Sequence, residues 1–287
     1  MHRTTALLHD LSVEVTARDR TALARAGLAA GTRVSITHLG TETAQDRLDA
    51  AAAVGAAGLV PVPHLSARRF ADADQVRDAL AGLREHGAHE RVFVIGGDPR
   101  TPAGPYSSAL DLIRSGLLAD HGVREVGIAG YPEGHPAIPE AELWEALAAK
   151  TAAIAEQGMA ATVTSQFSFD ADAVVAWISG VREAGVIAPI RVGVPGPAGV
   201  GRLLAFARRC GVGSSAGIVR KYGFSLTNLM GTATPDRFVA DLAGRLDLAH
   251  HGEVHLHVYA FGDVAATSRW IAGAAVRALP LDASKPA

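Results

Sequence analysis

Eight times along the chain a short run of strand-forming residues gives way to a longer stretch with helical spacing, and this alternation restricts the possible folds more than any other feature. The strand-like runs are Ser12 to Thr16, Arg33 to Thr37, Gly58 to Leu65, Arg91 to Asp98, Val126 to Ala129, Ala161 to Phe167, Pro189 to Val194 and Glu253 to Phe261. Between and after them, alanine- and leucine-rich segments predict helices over Arg20 to Ala30, Thr43 to Val54, Asp72 to His86, Tyr106 to Leu118, Pro139 to Gln157 and Asp170 to Ala184. Further helices are predicted near Gly199 to Cys210, Pro235 to Leu248 and Val264 to Leu279. Thr43 and Asp170 are placed to cap, and Pro139 to start, the helices that follow them. Eight strand-helix units in 287 residues fit an α/β fold of one kind, a single (β/α)8 TIM barrel spanning residues 1–287. Residues 211–234, rich in Gly, Ser and Thr, read as a long irregular loop near the barrel mouth, and 281–287 as a frayed tail.

Charge and composition remove several functional classes. A formal net charge of -2 with mixed signs supplies no broad attraction for nucleic acid or an anionic membrane surface. Cys210 is the single cysteine and cannot form an internal disulfide. The first residues contain no signal-peptide apolar region, and no apolar run approaches the roughly 20 residues that span a bilayer. A cytoplasmic protein acting on a small molecule is expected.

In a barrel of this kind chemistry gathers at the C-terminal ends of the strands. Glu14, Thr37, His64, Asp98, Tyr131, His135 and Gln166 all fall at or just beyond such ends. The most distinctive stretch is VGIAGYPEGHP, Val126 to Pro136, an apolar strand emptying into a loop punctuated by Gly130, Pro132, Gly134 and Pro136. Tyr131, Glu133 and His135 are two apart, so an extended backbone would aim them the same way. Glu14 lies between Val13 and Val15; if those two pack toward the helices, Glu14 points into the barrel, where burial disfavours the charged carboxylate and suits a general acid. The alternatives are a solvated Glu14, an Asp98 that only caps or shapes a turn, a Gln166 satisfied within a barrel layer, and a His64 bonded to core backbone. Phe167 and Phe169 share a face, for stacking on a ring or packing beneath the helices.

Taken in order, VFVIGGDP, PYSSALDLIR, AGYPEGHP and TSQFSFD resemble the catalytic barrel of the methylenetetrahydrofolate reductase family, with AGYPEGHP the most specific piece. The resemblance runs from Ser12 to about Val194. It implies a barrel that reduces 5,10-methylenetetrahydrofolate to 5-methyltetrahydrofolate, in the usual members through a noncovalent FAD that relays hydride from NADH or NADPH. It also implies that Glu14 occupies the position of the family's acid catalyst, Asp98 that of the strand-four aspartate, which would stabilise the cationic intermediate, and Gln166 that of the pterin-binding glutamine. Phe169 is a further substrate-contact candidate. The chain departs from the family at the cofactor: Gly96 stands where usual members have an arginine, and Lys150 or Thr151 near the place of a lysine, so a pyrophosphate loses two cationic partners. Each hydrogen bond to a charged group contributes ~1.5–3 kcal/mol, so FAD is disfavoured. Shorter flavin-free relatives of the family take hydride directly from NADH, and the expectation is that this chain does the same, with Thr37, His64, Tyr131 and His135 as nucleotide contacts and no metal.

Other readings fit less well. GVPGPAGVG after the seventh run is not a dinucleotide-binding fingerprint, because Pro195 and Pro197 break the glycine pattern. A Schiff-base aldolase needs a lysine at a strand end, whereas Lys150, Lys221 and Lys285 fall in a helix, a loop and the tail. His255 and His257 share a strand face but lack a matching ligand set for a metal hydrolase, and more readily line the barrel or pack outward. An FAD-dependent reductase and an inactive folate-binding subunit are the alternatives that remain.

Overall fold

The computed structural model describes residues 3–210 and 232–278. Eight parallel strands close into a barrel: β1 (Ser12–Val15), β2 (Arg33–Ile36), β3 (Val60–Ser66), β4 (Arg91–Ile95), β5 (Glu125–Gly130), β6 (Ala160–Ser165), β7 (Ile190–Pro195) and β8 (Val254–Tyr259), with β8 pairing back to β1. The helices are α1 (Arg3–Leu8), α2 (Arg20–Leu23), α3 (Ala44–Ala56), α4 (Ala73–Glu85), α5 (Ala109–Arg114), α6 (Leu117–Asp120), α7 (Glu140–Glu156), α8 (Ala171–Glu183), α9 (Val200–Cys210), α10 (Asp236–Arg245), α11 (Leu248–His251) and α12 (Val264–Ala278). This is the expected (β/α)8 architecture. Among the described residues no helix is long and apolar enough to cross a membrane.

Residue alternation along each strand sorts the side chains into two populations. Val13, Val34, Val92, Val126, Val163, Val192 and Leu256 are fully buried and face the helices. Each contributes ~1.5–3 kcal/mol of burial free energy, and together they fix which face of every strand is outside. Many of the inward positions between them are polar, Ser12, Glu14, Ser35, His64, Thr162, Thr164, His255 and His257, alongside Val62, Phe93, Gly127 and Gly193. At the N-terminal end of the barrel, charges are paired off. Arg191 Nη2 lies 2.6 Å from Asp10 Oδ2, Arg33 reaches both Asp10 and Glu125, and Arg91 sits 3.5 Å from Glu125. Burial would raise the Asp10 carboxyl, but Arg191 and Arg33 outweigh it and hold the group below the usual carboxylate range.

Several local expectations are corrected. The segment predicted as one helix over Arg20 to Ala30 is a 3-10 turn, Ala17–Asp19, followed by only the four residues of α2, and the backbone turns left-handed at Gly27, φ 71°. The single helix predicted over Tyr106 to Leu118 is α5 and α6, split where Gly116 adopts φ 78°. Helix α1 is additional to the predicted elements. Thr43 and Asp170 cap α3 and α8 as expected, each accepting backbone N–H groups of the first turn. Of the predicted 211–234 loop, residues 211–231 lie outside the described residues, as do 281–287; Thr232–Ala233 pairs antiparallel with Ala198–Gly199.

Candidate active site

Glu14 is on the inner face of β1, in register with Ser35 on β2 and Tyr259 on β8. Val13 and Val15 are buried against the helices, so of the two placements open to Glu14 the alternation gives the inward one. Its side chain is 19% exposed, which leaves it reachable from the mouth. Two histidines face it. His257 Nε2 is 3.4 Å from Glu14 Oε2, and His257 Nδ1 is 2.7 Å from the Ser12 hydroxyl. With Nε2–H pointing at the carboxylate, Nδ1 accepts from Ser12, and the ring is fixed between two strand residues of β1. His64 Nε2 stands 3.8 Å from the same carboxylate oxygen, its ring packed on Phe93 at 4.6 Å. Burial pushes His64 down to about 4, against a partial upward pull from Glu14. It therefore stands beside Glu14 as a neutral imidazole at neutral pH.

A second contact path leads from Glu14 to Gln166. Tyr259 is the register neighbour of Glu14, and its hydroxyl donates to the Ser165 carbonyl at 3.1 Å, one residue before Gln166. Gln166 N–H donates to Gly130 O, and Gln166 Oε1 accepts from Phe167 N–H at 3.1 Å. That leaves its amide Nε2 donors and one carbonyl lone pair for a ligand. Gly193 of β7 allows this loop to pass close by: a Cβ there would fall 2.5 Å from Ser165 O. Phe167 stacks edge to face on Phe169, Tyr259 and Phe261 at 5.6–5.8 Å. Phe169 is only 5% exposed, so of the two roles open to these aromatics the structure displays the packing one.

The remaining candidates are distributed around the rim. Thr37 follows β2, tied by its N–H to Val15 O, and its hydroxyl is buried without a hydrogen-bond partner among the described residues. Asp98 follows β4 with its side chain 75% exposed, 3.3 Å from Arg69; the structure does not bring it against Glu14. Tyr131, Glu133 and His135 do not point the same way along an extended backbone, because Gly134 N–H donates to Tyr131 O and closes a turn. Instead the Tyr131 and His135 rings meet edge to face at 5.2 Å, while Glu133 accepts from the Ser168 hydroxyl at 2.5 Å. Burial lowers His135. Tyr131 and Glu133 line a cleft of about 410 Å³ with Trp144 and Trp177. Sequence reading set aside His257 and did not reach Tyr259. The expected shared face of His255 and His257 lines the barrel, with His255 bonded to His9 O and Glu253, and Tyr259 continues it by the same alternation. Among the described residues no cluster of three or more metal-ligating side chains exists.

The closed (β/α)8 barrel thus holds at its mouth an inward carboxylate flanked by two histidines. Residues 19–221 match the family described as methylenetetrahydrofolate reductase, and the chain belongs to that family. It is 29% identical over 239 residues to methylenetetrahydrofolate reductase 2 of Saccharomyces cerevisiae, a match covering 78% of this chain and 37% of the yeast protein, so the chain spans little more than a third of that relative. Among solved structures it is similar to a dihydropteroate synthase from Thermus thermophilus, with 18% identity, 92% of this chain and 91% of that one covered, and a TM-score of 0.47. A second structure of dihydropteroate synthase from the same organism, in complex with 6HMPPP, gives 16% identity, coverage of 93% and 92%, and a TM-score of 0.49.

Proposed function

We propose that the chain reduces 5,10-methylenetetrahydrofolate to 5-methyltetrahydrofolate, with NADH supplying the hydride directly, and with Glu14 as the acid that opens the substrate's five-membered ring. The observation that carries the reading is the placement of Glu14: inward, partly open to the mouth, and held by His257. Ring opening needs a proton on N10 as its bond to the one-carbon unit breaks, which leaves a cationic N5 iminium as hydride acceptor. Glu14 delivers that proton directly or through one water. Gln166 offers donors and one acceptor site to the mixed hydrogen-bonding edge of the pterin, at the end of a contact path that begins beside Glu14. Asp98 serves the cationic intermediate once it turns from Arg69, stabilising charge that exists only after ring opening.

Two observations favour direct hydride transfer over a flavin relay. A side chain at position 96 would meet open space, yet glycine provides no guanidinium there for a pyrophosphate. Lys150 is 9% exposed and belongs to the packed face of α7, while the Thr151 hydroxyl is bonded back to the Leu147 and Ala148 carbonyls. Neither supplies the cation that a flavin's phosphates would use. The test is NADH oxidation by purified protein, dependent on methylenetetrahydrofolate and without added flavin. Glu14→Gln should lose about a hundredfold or more of turnover while still binding folate. A yellow protein whose activity requires FAD would overturn the cofactor assignment, and near-normal turnover in Glu14→Gln would remove the acid.

A further inference from the structure

A second cleft, of about 430 Å³, opens beside the mouth between α3, α4 and the outer face of β2 and β3. Its interior is apolar, with Ile36, Leu48, Pro63 and Leu83 on its walls, and its edge carries His38, Arg47 and Arg69. These groups, a neutral imidazole and two guanidiniums, crowd one another. Burial lowers His38 to about 3, with Arg47 and Arg69 adding to the effect, and burial and Arg69 lower Arg47 against an upward pull from Glu42. Arg47 contacts His38 Nε2, while His38 Nδ1 and Arg69 Nε are buried without hydrogen-bond partners among the described residues. The Arg69 guanidinium lies over Gly40, where a Cβ would fall 2.4 Å from Arg69 Nη2. The acidic groups nearby are limited in what they neutralise: Glu42 accepts from the Ala17 and Leu39 N–H groups, Asp98 is largely in solvent, and Asp78 lies on the α4 wall.

Two guanidiniums and unsatisfied donors at the edge of an apolar slot suit a ligand with a planar ring joined to a phosphate chain. His64, whose ring faces Glu14, also borders this slot. We infer that this cleft holds the adenosine diphosphate half of the nicotinamide nucleotide, with the adenine between α3 and α4 and the pyrophosphate on Arg47 and Arg69. The inference rests on the proposed use of NADH as the direct hydride donor. It gives Arg69 a second anion to bind, and the phosphate displaces Asp98 from it, turning that carboxylate toward the substrate.

Binding of ADP-ribose to the whole protein, followed by calorimetry, tests the cleft without relying on turnover. Wild type should bind, and affinity should fall with added salt. Arg69→Gln should weaken binding about tenfold or more, the loss expected of one charge-assisted phosphate contact. Ala79→Leu, which fills the slot from α4 without touching a charge, should do the same with an unchanged melting temperature. Glu14→Gln should leave ADP-ribose affinity unaltered. The inference is overturned if wild type does not bind ADP-ribose, if both cleft variants bind it normally, or if a folate polyglutamate competes for Arg69 while ADP-ribose does not. NADH-driven turnover with no effect of the cleft variants on binding would sink the cleft and leave the reductase reading standing. ADP-ribose binding that depends on Arg69, without reductase turnover, would do the reverse.

Discussion

Replacing Lys150 by Met should stabilise the protein, and by an amount that depends on pH. Lys150 is 9% exposed on α7, has no ion pair among the described residues, and is pushed by burial alone down to about 8 from 10.5. Its folded pKa lies below the unfolded one, so between these values the unfolded chain binds more protons, and stability falls as pH drops from 10.5 toward 8 and stays lost below. Linkage over that difference gives a penalty of about 3 kcal/mol at pH 7 and about 1.4 kcal/mol at pH 9.5. Methionine keeps the unbranched apolar stem and removes the charge. Lys150→Met should therefore raise the urea unfolding free energy by up to about 3 kcal/mol at pH 7, with the gain falling by about half at pH 9.5. The measurement is a pair of denaturation curves at each pH, with equal m-values as the check that the unfolded states are comparable. A variant less stable than wild type at pH 7, or a gain that does not shrink with pH, would refute the argument and show that the ammonium is held by a favourable contact.

Other expectations follow from the barrel interior. His64, held neutral by burial with a folded value of about 4 against 6.5, contributes stability that is complete above pH 6.5 and is lost as pH falls toward 4, about 3 kcal/mol in all; chemical denaturation should show the decline, and His64→Phe should flatten it. Asp10→Ala leaves Arg191, 5% exposed, without its carboxylate, and should cost about 3 kcal/mol or more of unfolding free energy, measured by urea titration. Gly193→Ala places a methyl 2.5 Å from Ser165 O, forcing β6 and β7 apart; a lower melting temperature and weaker folate binding should accompany it, because the displaced residues lead into Gln166. His257→Phe removes the contact to Glu14 and should reduce turnover with little change in folate affinity, read from separate kcat and KM values.

The outer half of this fold was plain in the sequence because it obeys one rule. Along most strands buried apolar residues recur every second position, as Val13 and Val15 or Val254, Leu256 and Val258 do. The alternation of strand-like and helical runs made the eight strands legible, while the choice between an inward and a solvated Glu14 waited for the packing of its neighbours. The partnerships of the inner face were not legible in the same way. Ser12 and His257 are 245 residues apart and meet through a hydrogen bond, and nothing local in HLHVY says which side of the sheet its histidines occupy or what stands opposite. The loop Tyr131 to His135 misled for a related reason: two-residue spacing has meaning only on extended backbone, and Gly134, at φ 79°, turns the chain instead. The basic cleft was invisible because His38, Arg47 and Arg69 belong to three separate segments, brought together by the docking of α3 and α4, with the Arg69 guanidinium lying over Gly40.

These inner contacts divide the barrel along its axis. At the N-terminal end, Arg33, Arg91, Glu125 and Arg191 from the strands and Asp10 from the turn before β1 satisfy one another, and charges with partners in place resist rearrangement. At the other end the polar groups are less fully matched: a neutral His64 beside Glu14, a Thr37 hydroxyl without a partner among the described residues, and an Asp98 held by one exposed arginine contact. Ligands can supply what is missing only at that end. A barrel with polar groups at both ends but surplus valence at one is stable because of the first and responsive at the second, and it is the register of β1, which carries Ser12 and Glu14 on one face two residues apart, that ties the fixed part to the reactive part.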